Sequence, residues 1–98
     1  MRHGATAGVA HAEDAWNVMS AQTSALRNRL RREILQALQR RGAALPIELA
    51  ALTLSFVDEI RPVLEELEAE GLIELRNVRG GPLVALTARG REQLRRLS

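Results

Sequence analysis

Few side chains in this 98-residue sequence are of the kinds that do chemistry. His11, Glu13 and Asp14 stand close together near the N-terminus, with His3 a turn or two before them. A metal centre wants three or four converging ligands, and His11-x-Glu13-Asp14 is too sparse to supply them. Glu65 and Glu66 are adjacent carboxylates within a helical pattern, where a solvated face is the plain reading and a general acid/base pair is not. Gly80-Gly81-Pro82 leads into a strand pattern, not a helix, so it does not make a phosphate-cradling loop. The absence of cysteine removes disulfides, thiolate zinc sites and cysteine nucleophiles together. The expectation is a protein that is not an enzyme and uses no metal or cofactor.

Arginine is the chemistry the sequence does offer. All 14 basic residues are arginine. The formal net charge of +2 hides an uneven distribution. Between Leu54 and Leu75 lie Asp58, Glu59, Glu65, Glu66, Glu68, Glu70 and Glu74 against Arg61 alone, whereas arginine dominates the remainder. Such asymmetry shapes a surface potential and with it the choice of partner. Arg61 has the fork that pairs with the guanine edge, and Asp58 and Glu59 can accept from cytosine amino groups. The same acids face phosphates with the wrong sign. Arg76 and Arg79 stand beside Gly80-Gly81, either as a basic hairpin that reaches a minor groove or as a plain surface hairpin with solvated arginines. Only Trp16 and Phe56 are aromatic, which disfavours a single-strand binder that stacks bases.

Three helices, a hairpin and a last helix are expected to position these groups. Residues 1–11 are small, Gly/Ala-rich and without period, the composition of a disordered tail. Residues 12–23 carry a weak helical pattern with Trp16 and Met19 three apart, either an extension of the next helix or a separate dimerisation segment. The domain proper is expected over 24–98. Ser24 caps a helix that Gly42 stops, with Leu26, Leu30, Ile34 and Leu38 on one apolar stripe. Leu45-Pro46 opens a short second helix, with the proline where its missing N–H costs nothing. Thr53-Leu54-Ser55 makes a turn, and Ser55 caps the third helix with Asp58 completing a capping box. Ile60, Val63, Leu64 and Leu67 give that helix its apolar face, and Gly71 ends it. Pro62 argues for a start near Asp58 or an irregular first turn. Leu72–Arg76 and Leu83–Leu86 read as strands around a turn at Gly80-Gly81-Pro82, and Thr87 caps a last short helix. The fold class is therefore mostly α with a small β-hairpin: a three-helix cluster, a two-stranded wing and a short C-terminal helix. Leu30, Ile34, Leu38, Leu49, Ile60, Leu64, Leu67, Leu72 and Leu86 form the expected core.

Local strings sharpen this into a resemblance. Glu48-Leu49-Ala50 followed by Leu54-Ser55 resembles the second helix of a helix-turn-helix. Leu64–Ile73 (LEELEAEGLI) resembles the end of a recognition helix entering a wing, and Leu86–Arg91 (LTARGR) resembles the segment after the wing in MarR-type winged-helix regulators. The likeness covers residues 26–97. It implies a DNA-binding transcriptional regulator of the cytoplasm that reads double-stranded DNA through the third helix and the wing, with Ser55, Asp58, Glu59, Arg61, Arg76 and Arg79 as the contacting set. Larger members of that family dimerise through long terminal helices. The last helix here has about ten residues, so Trp16 and Met19 are the expected contacts of a homodimer. The alternative is an adaptor whose acidic third helix docks on a basic protein partner, since fold alone does not fix function. No apolar run approaches the ~20 residues of a membrane span, and the N-terminus lacks the apolar stretch of a signal peptide.

Overall fold

The computed structural model describes the backbone from Arg2 to Leu97 and the side chains from Gln22 to Leu97. Helix α1 runs from Arg2 to Arg41 without a break. Ser24, expected as its cap, lies inside it, and helix also occupies the backbone of the stretches set apart as a tail and a separate segment. Alanine recurs at positions 5, 7, 10, 12 and 15, and no residue favours the helix more. The side chains of Trp16 and Met19 lie outside the described residues. The apolar stripe becomes core only at Leu30. Leu26 is still 40% exposed, at an open recess that Asp58, Glu59 and Pro62 also line.

Gly42 stops α1, its N–H bonded to the Leu38 carbonyl. Ala43–Ala44 then form β1, a two-residue strand that sequence periodicity could not show. Helix α2 spans Pro46–Leu52, with Pro46 in its first turn and the Leu45 N–H taken by the Glu48 carboxylate at 2.8 Å. Helix α3 spans Val57–Ala69. Its cap sits one residue later than expected. Phe56 is the N-cap, and Glu59 in place of Asp58 reaches back to the Phe56 N–H at 2.8 Å. Ser55 instead donates to the Thr53 carbonyl within the turn.

Pro62 falls in the second turn of α3, not the first. The carbonyl it leaves without an N–H belongs to Asp58. Both residues are exposed, so water can serve that carbonyl and the helix continues. Gly71 ends α3 at φ +78°, as expected.

Strands β2 (Ile73–Val78) and β3 (Gly81–Leu86) make the hairpin, and β1 pairs with the other edge of β3, giving the order β1-β3-β2. The wing is thus part of a three-stranded antiparallel sheet. Val78 pairs with Gly81, so the turn is Arg79-Gly80 and Pro82 belongs to β3. Pro82 lies beyond the end of β1, which reaches only Val84, so its missing N–H disrupts no ladder on that side. Helix α4 (Ala88–Leu97) follows, its Gly90 N–H held by the Thr87 hydroxyl.

All nine expected core residues are buried, joined by Leu35, Ala44, Ile73, Val84 and Leu94. They form one cluster between α1, α3, the sheet and α4. Thr53 is the one buried polar residue among the described ones, and its hydroxyl donates to the Leu49 carbonyl at 2.8 Å.

Candidate nucleic-acid interface

Helical periodicity and packing sort the side chains of α3 onto three faces. Ile60, Val63, Leu64 and Leu67 are buried. Glu66 and Glu70, four apart, lie along the flank beside α1, where Arg31 receives both. Its guanidinium donates through Nη1 and Nη2 to the two oxygens of Glu70, each at 2.7 Å, and through Nη1 to Glu66 Oε1. The hydrogen bond from Arg31 holds the Glu70 carboxyl below its ordinary value and outweighs the opposing effect of partial burial. The Arg31 pKa is raised for the same reason. Asp58, Arg61, Pro62 and Glu65 remain on the exposed surface of the helix. Among the described residues Asp58, Arg61 and Glu65 make no ion pair.

This changes the charge balance of α3. Arg31 offsets one of the two charges of Glu66 and Glu70, Glu59 is engaged at the cap, and Glu74 on β2 pairs with Arg76. The outward face of Asp58, Arg61 and Glu65 sets one cation against two carboxylates, and Glu68 is exposed as well, without an ion pair among the described residues.

Toward the wing, Arg61 and Glu65 border an apolar groove of about 250 Å³, walled by Pro46, Val57, Leu64, Leu75 and Pro82. Pairing puts Ile73, Leu75, Asn77, Pro82, Val84 and Leu86 on one face of the hairpin. Glu74, Arg76 and Leu83 are on the other. Arg76 therefore faces away from Arg61, and its Nε donates to Glu74 at 3.0 Å. Arg79 stands in the turn, exposed and without an ion pair among the described residues. The structure brings Asp58, Arg61 and Glu65 together, leaves Arg79 free at the tip, turns Ser55 inward and occupies Glu59 and Arg76 elsewhere.

Sequence reasoning missed Arg31. The signal available was the i, i+4 spacing of Glu66 and Glu70 on the flank of an apolar stripe, with Arg31 next to Leu30 on another. Phe56 is exposed (78%), as its place at the start of the third helix leads one to expect, and Ile47 (66%) and Leu54 (94%) are exposed apolar residues that the sequence did not single out. Leu54 has φ +55°, a left-handed conformation that non-glycine residues seldom adopt.

The arrangement of α2, turn, α3 and wing matches solved structures. BpsR of Bordetella bronchiseptica, whose DNA binding is regulated by 6-hydroxynicotinic acid, aligns over 69% of this chain with 28% identity and a TM-score of 0.65. A MarR-family transcriptional regulator from Silicibacter pomeroyi aligns over 83% of this chain and 62% of its own, with 20% identity and a TM-score of 0.67. The fold is the MarR-type winged helix. The transcriptional regulator BldR of Sulfolobus solfataricus shares this winged-helix fold over 90% of the present chain and 71% of its own, at 19% identity and a TM-score of 0.65. The present chain spans half the length of BpsR. No protein-family model matches the sequence, and no curated protein matches it. No described helix is long and apolar enough to cross a membrane.

Proposed function

We propose that this winged helix binds double-stranded DNA as a transcriptional regulator, through the exposed face of α3 and the tip of the wing. The observation that carries the reading is the capture of Glu66 and Glu70 by Arg31. It draws both carboxylates onto the flank beside α1 and offsets one of their two charges, while Arg61 stays exposed on the outward face. Recognition helices present their N-terminal half to the major groove, and Asp58 and Arg61 lie in that half of α3. Ser55 and Glu59 support this surface from within the turn and cap, and Arg76 becomes available to DNA only by leaving Glu74. The solved regulators of this fold include BpsR, a DNA-binding protein.

Fluorescence anisotropy with labelled duplexes tests the reading. Arg79→Ala should weaken binding to all sequences and flatten the salt slope by about one unit, as a phosphate or minor-groove contact does. Arg61→Ala should cost about 1–3 kcal/mol and relax preference at one base pair. A parent protein that binds no duplex at low salt sinks the proposal.

A homodimer would set two such surfaces ~34 Å apart, for successive major grooves. Residues 22–29 of α1 are all exposed in the single chain, so a second copy can reach that stretch. Trp16 and Met19, on the same helix, are proposed as its anchors. Trp16→Ala should then shift sedimentation toward monomer.

The exposed Ile47, Leu54 and Phe56 favour a second reading, a protein adaptor docking through the α2–α3 corner. Asp58→Lys with Glu65→Lys discriminates: it strengthens non-specific DNA binding on the first reading and leaves partner capture through the apolar corner unchanged on the second.

A further inference from the structure

Phe56 is the only phenylalanine of the chain and is 78% exposed. It occupies the N-cap of α3, a position that favours Ser, Thr, Asp or Asn because their oxygens accept the free N–H groups of the first turn. Phenylalanine cannot, and no side-chain cap bond forms there. The ring is nevertheless fixed at its base. The Phe56 N–H donates to Glu59 at 2.8 Å, and its carbonyl accepts from the N–H groups of Glu59 and Ile60 at 3.0 and 3.2 Å. An aromatic ring is thus held out at the start of α3, ahead of the exposed hydrogen-bonding side chains Asp58 and Arg61 in its first turns.

That pattern suits a base-pair edge better than a protein surface. Protein interfaces keep charge out of their cores and bury about 800 Å² per partner. Phe56 and Leu54 offer on the order of 300 Å² and are separated by the half-buried Ser55. In the major groove, by contrast, donors and acceptors alternate with a single kind of apolar group, the 5-methyl of thymine. We propose that Phe56 reads a thymine 5-methyl group while Asp58 and Arg61 address neighbouring hydrogen-bonding edges. This rests on the DNA reading above and adds a specificity element to it.

The test uses the full chain and a pool of random-sequence duplexes. After the preferred duplex has been enriched, each thymine is replaced in turn by uracil, which lacks only the methyl. At one position per half-site the parent should lose about fourfold in affinity, the worth of one buried methyl. Phe56→Ala should bind the thymine duplex correspondingly less well and no longer distinguish it from the uracil duplex, while Phe56→Leu retains part of the distinction. Arg61→Ala should keep the thymine-to-uracil ratio intact. Because the ring is exposed, Phe56→Ala should melt with the parent, which separates recognition from folding. Equal binding of thymine and uracil duplexes by the parent overturns the proposal while leaving DNA binding in place. Discrimination that survives in Phe56→Ala overturns it as well. If no duplex is enriched, the DNA reading fails and this proposal with it.

Discussion

Replacing Arg31 with methionine is the most informative single change in the domain. The apolar stem is retained, so packing against α1 and α3 changes little. What goes is a forked donor that serves two carboxylates. Arg31 is 20% exposed, whereas Glu66 and Glu70 are 37% and 41% exposed, so solvent screens the pairs substantially. Exposed ion pairs contribute about 0.2–1 kcal/mol each, and a two-pronged guanidinium–carboxylate pair lies at the upper end. The variant should therefore be less stable by about 1–2 kcal/mol at pH 7. In a domain of this size that lowers Tm by about 5–10 °C.

The pH dependence identifies the cause. The folded-state pKa of Glu70 is depressed below its ordinary 4.5. Its contribution is complete above that value and disappears as pH falls through the depressed one. Parent and Arg31→Met should thus differ most at neutral pH and converge in acid below 4.5. Thermal melts followed by far-UV circular dichroism at pH 7, 5 and 3 measure the gap. A gap of the same size at pH 3 would show that Arg31 acts by packing, and no gap at pH 7 would show that the pairs contribute nothing. On the DNA reading the variant also binds duplexes more weakly, because two carboxylates are released beside α3.

Leu64→Ala, at 5% exposure on the inner face of α3, should cost about 2–5 kcal/mol by cavity formation, read as a lower urea midpoint with unchanged slope. Gly90→Ala should be severe for a different reason. A Cβ there would collide with the Leu72 carbonyl oxygen and meet a Leu86 methyl at 2.7 Å, so α4 must move off the sheet. Denaturant titration should show the loss, and a variant as stable as the parent would mean that the helix can shift freely. Thr87→Val removes the hydroxyl that donates to the Gly71 carbonyl at 2.6 Å and accepts from the Gly90 N–H, and should cost about 1–3 kcal/mol in the same titration.

Much of the fold was legible because its signals are local. The spacing of Ile60, Val63, Leu64 and Leu67, the glycine stops and the Thr87 cap each act within a turn or two of the residue concerned. What escaped depends on distant partners. Ala43 and Ala44 are strand only because β3 lies alongside, and two alanines carry no period of their own. Leu26 follows the stripe of α1 yet is left at an open recess beside Asp58 and Pro62. The candidate site divides the same way. The exposure of Arg61 and Arg79 was readable from residue type and position, but the engagement of Glu66 and Glu70 by Arg31 joins positions far apart in sequence. The cap moved from Ser55 to Phe56 because Glu59 reaches back to the Phe56 N–H, a choice between neighbours that composition leaves open.

The sheet also sets an order of assembly. Its hairpin is closed by a two-residue turn, whereas Ala43 meets Ala85 only across a loop of about forty residues. Chain closure costs entropy that grows with the logarithm of the loop, and β1 returns only two residue pairs for it. The hairpin should therefore form early. The Ala43–Ala44 strand should join once α1 has docked through Leu30, Ile34 and Leu38, and it should be the first part of the sheet to open, with amides that exchange faster than those at the middle of β3.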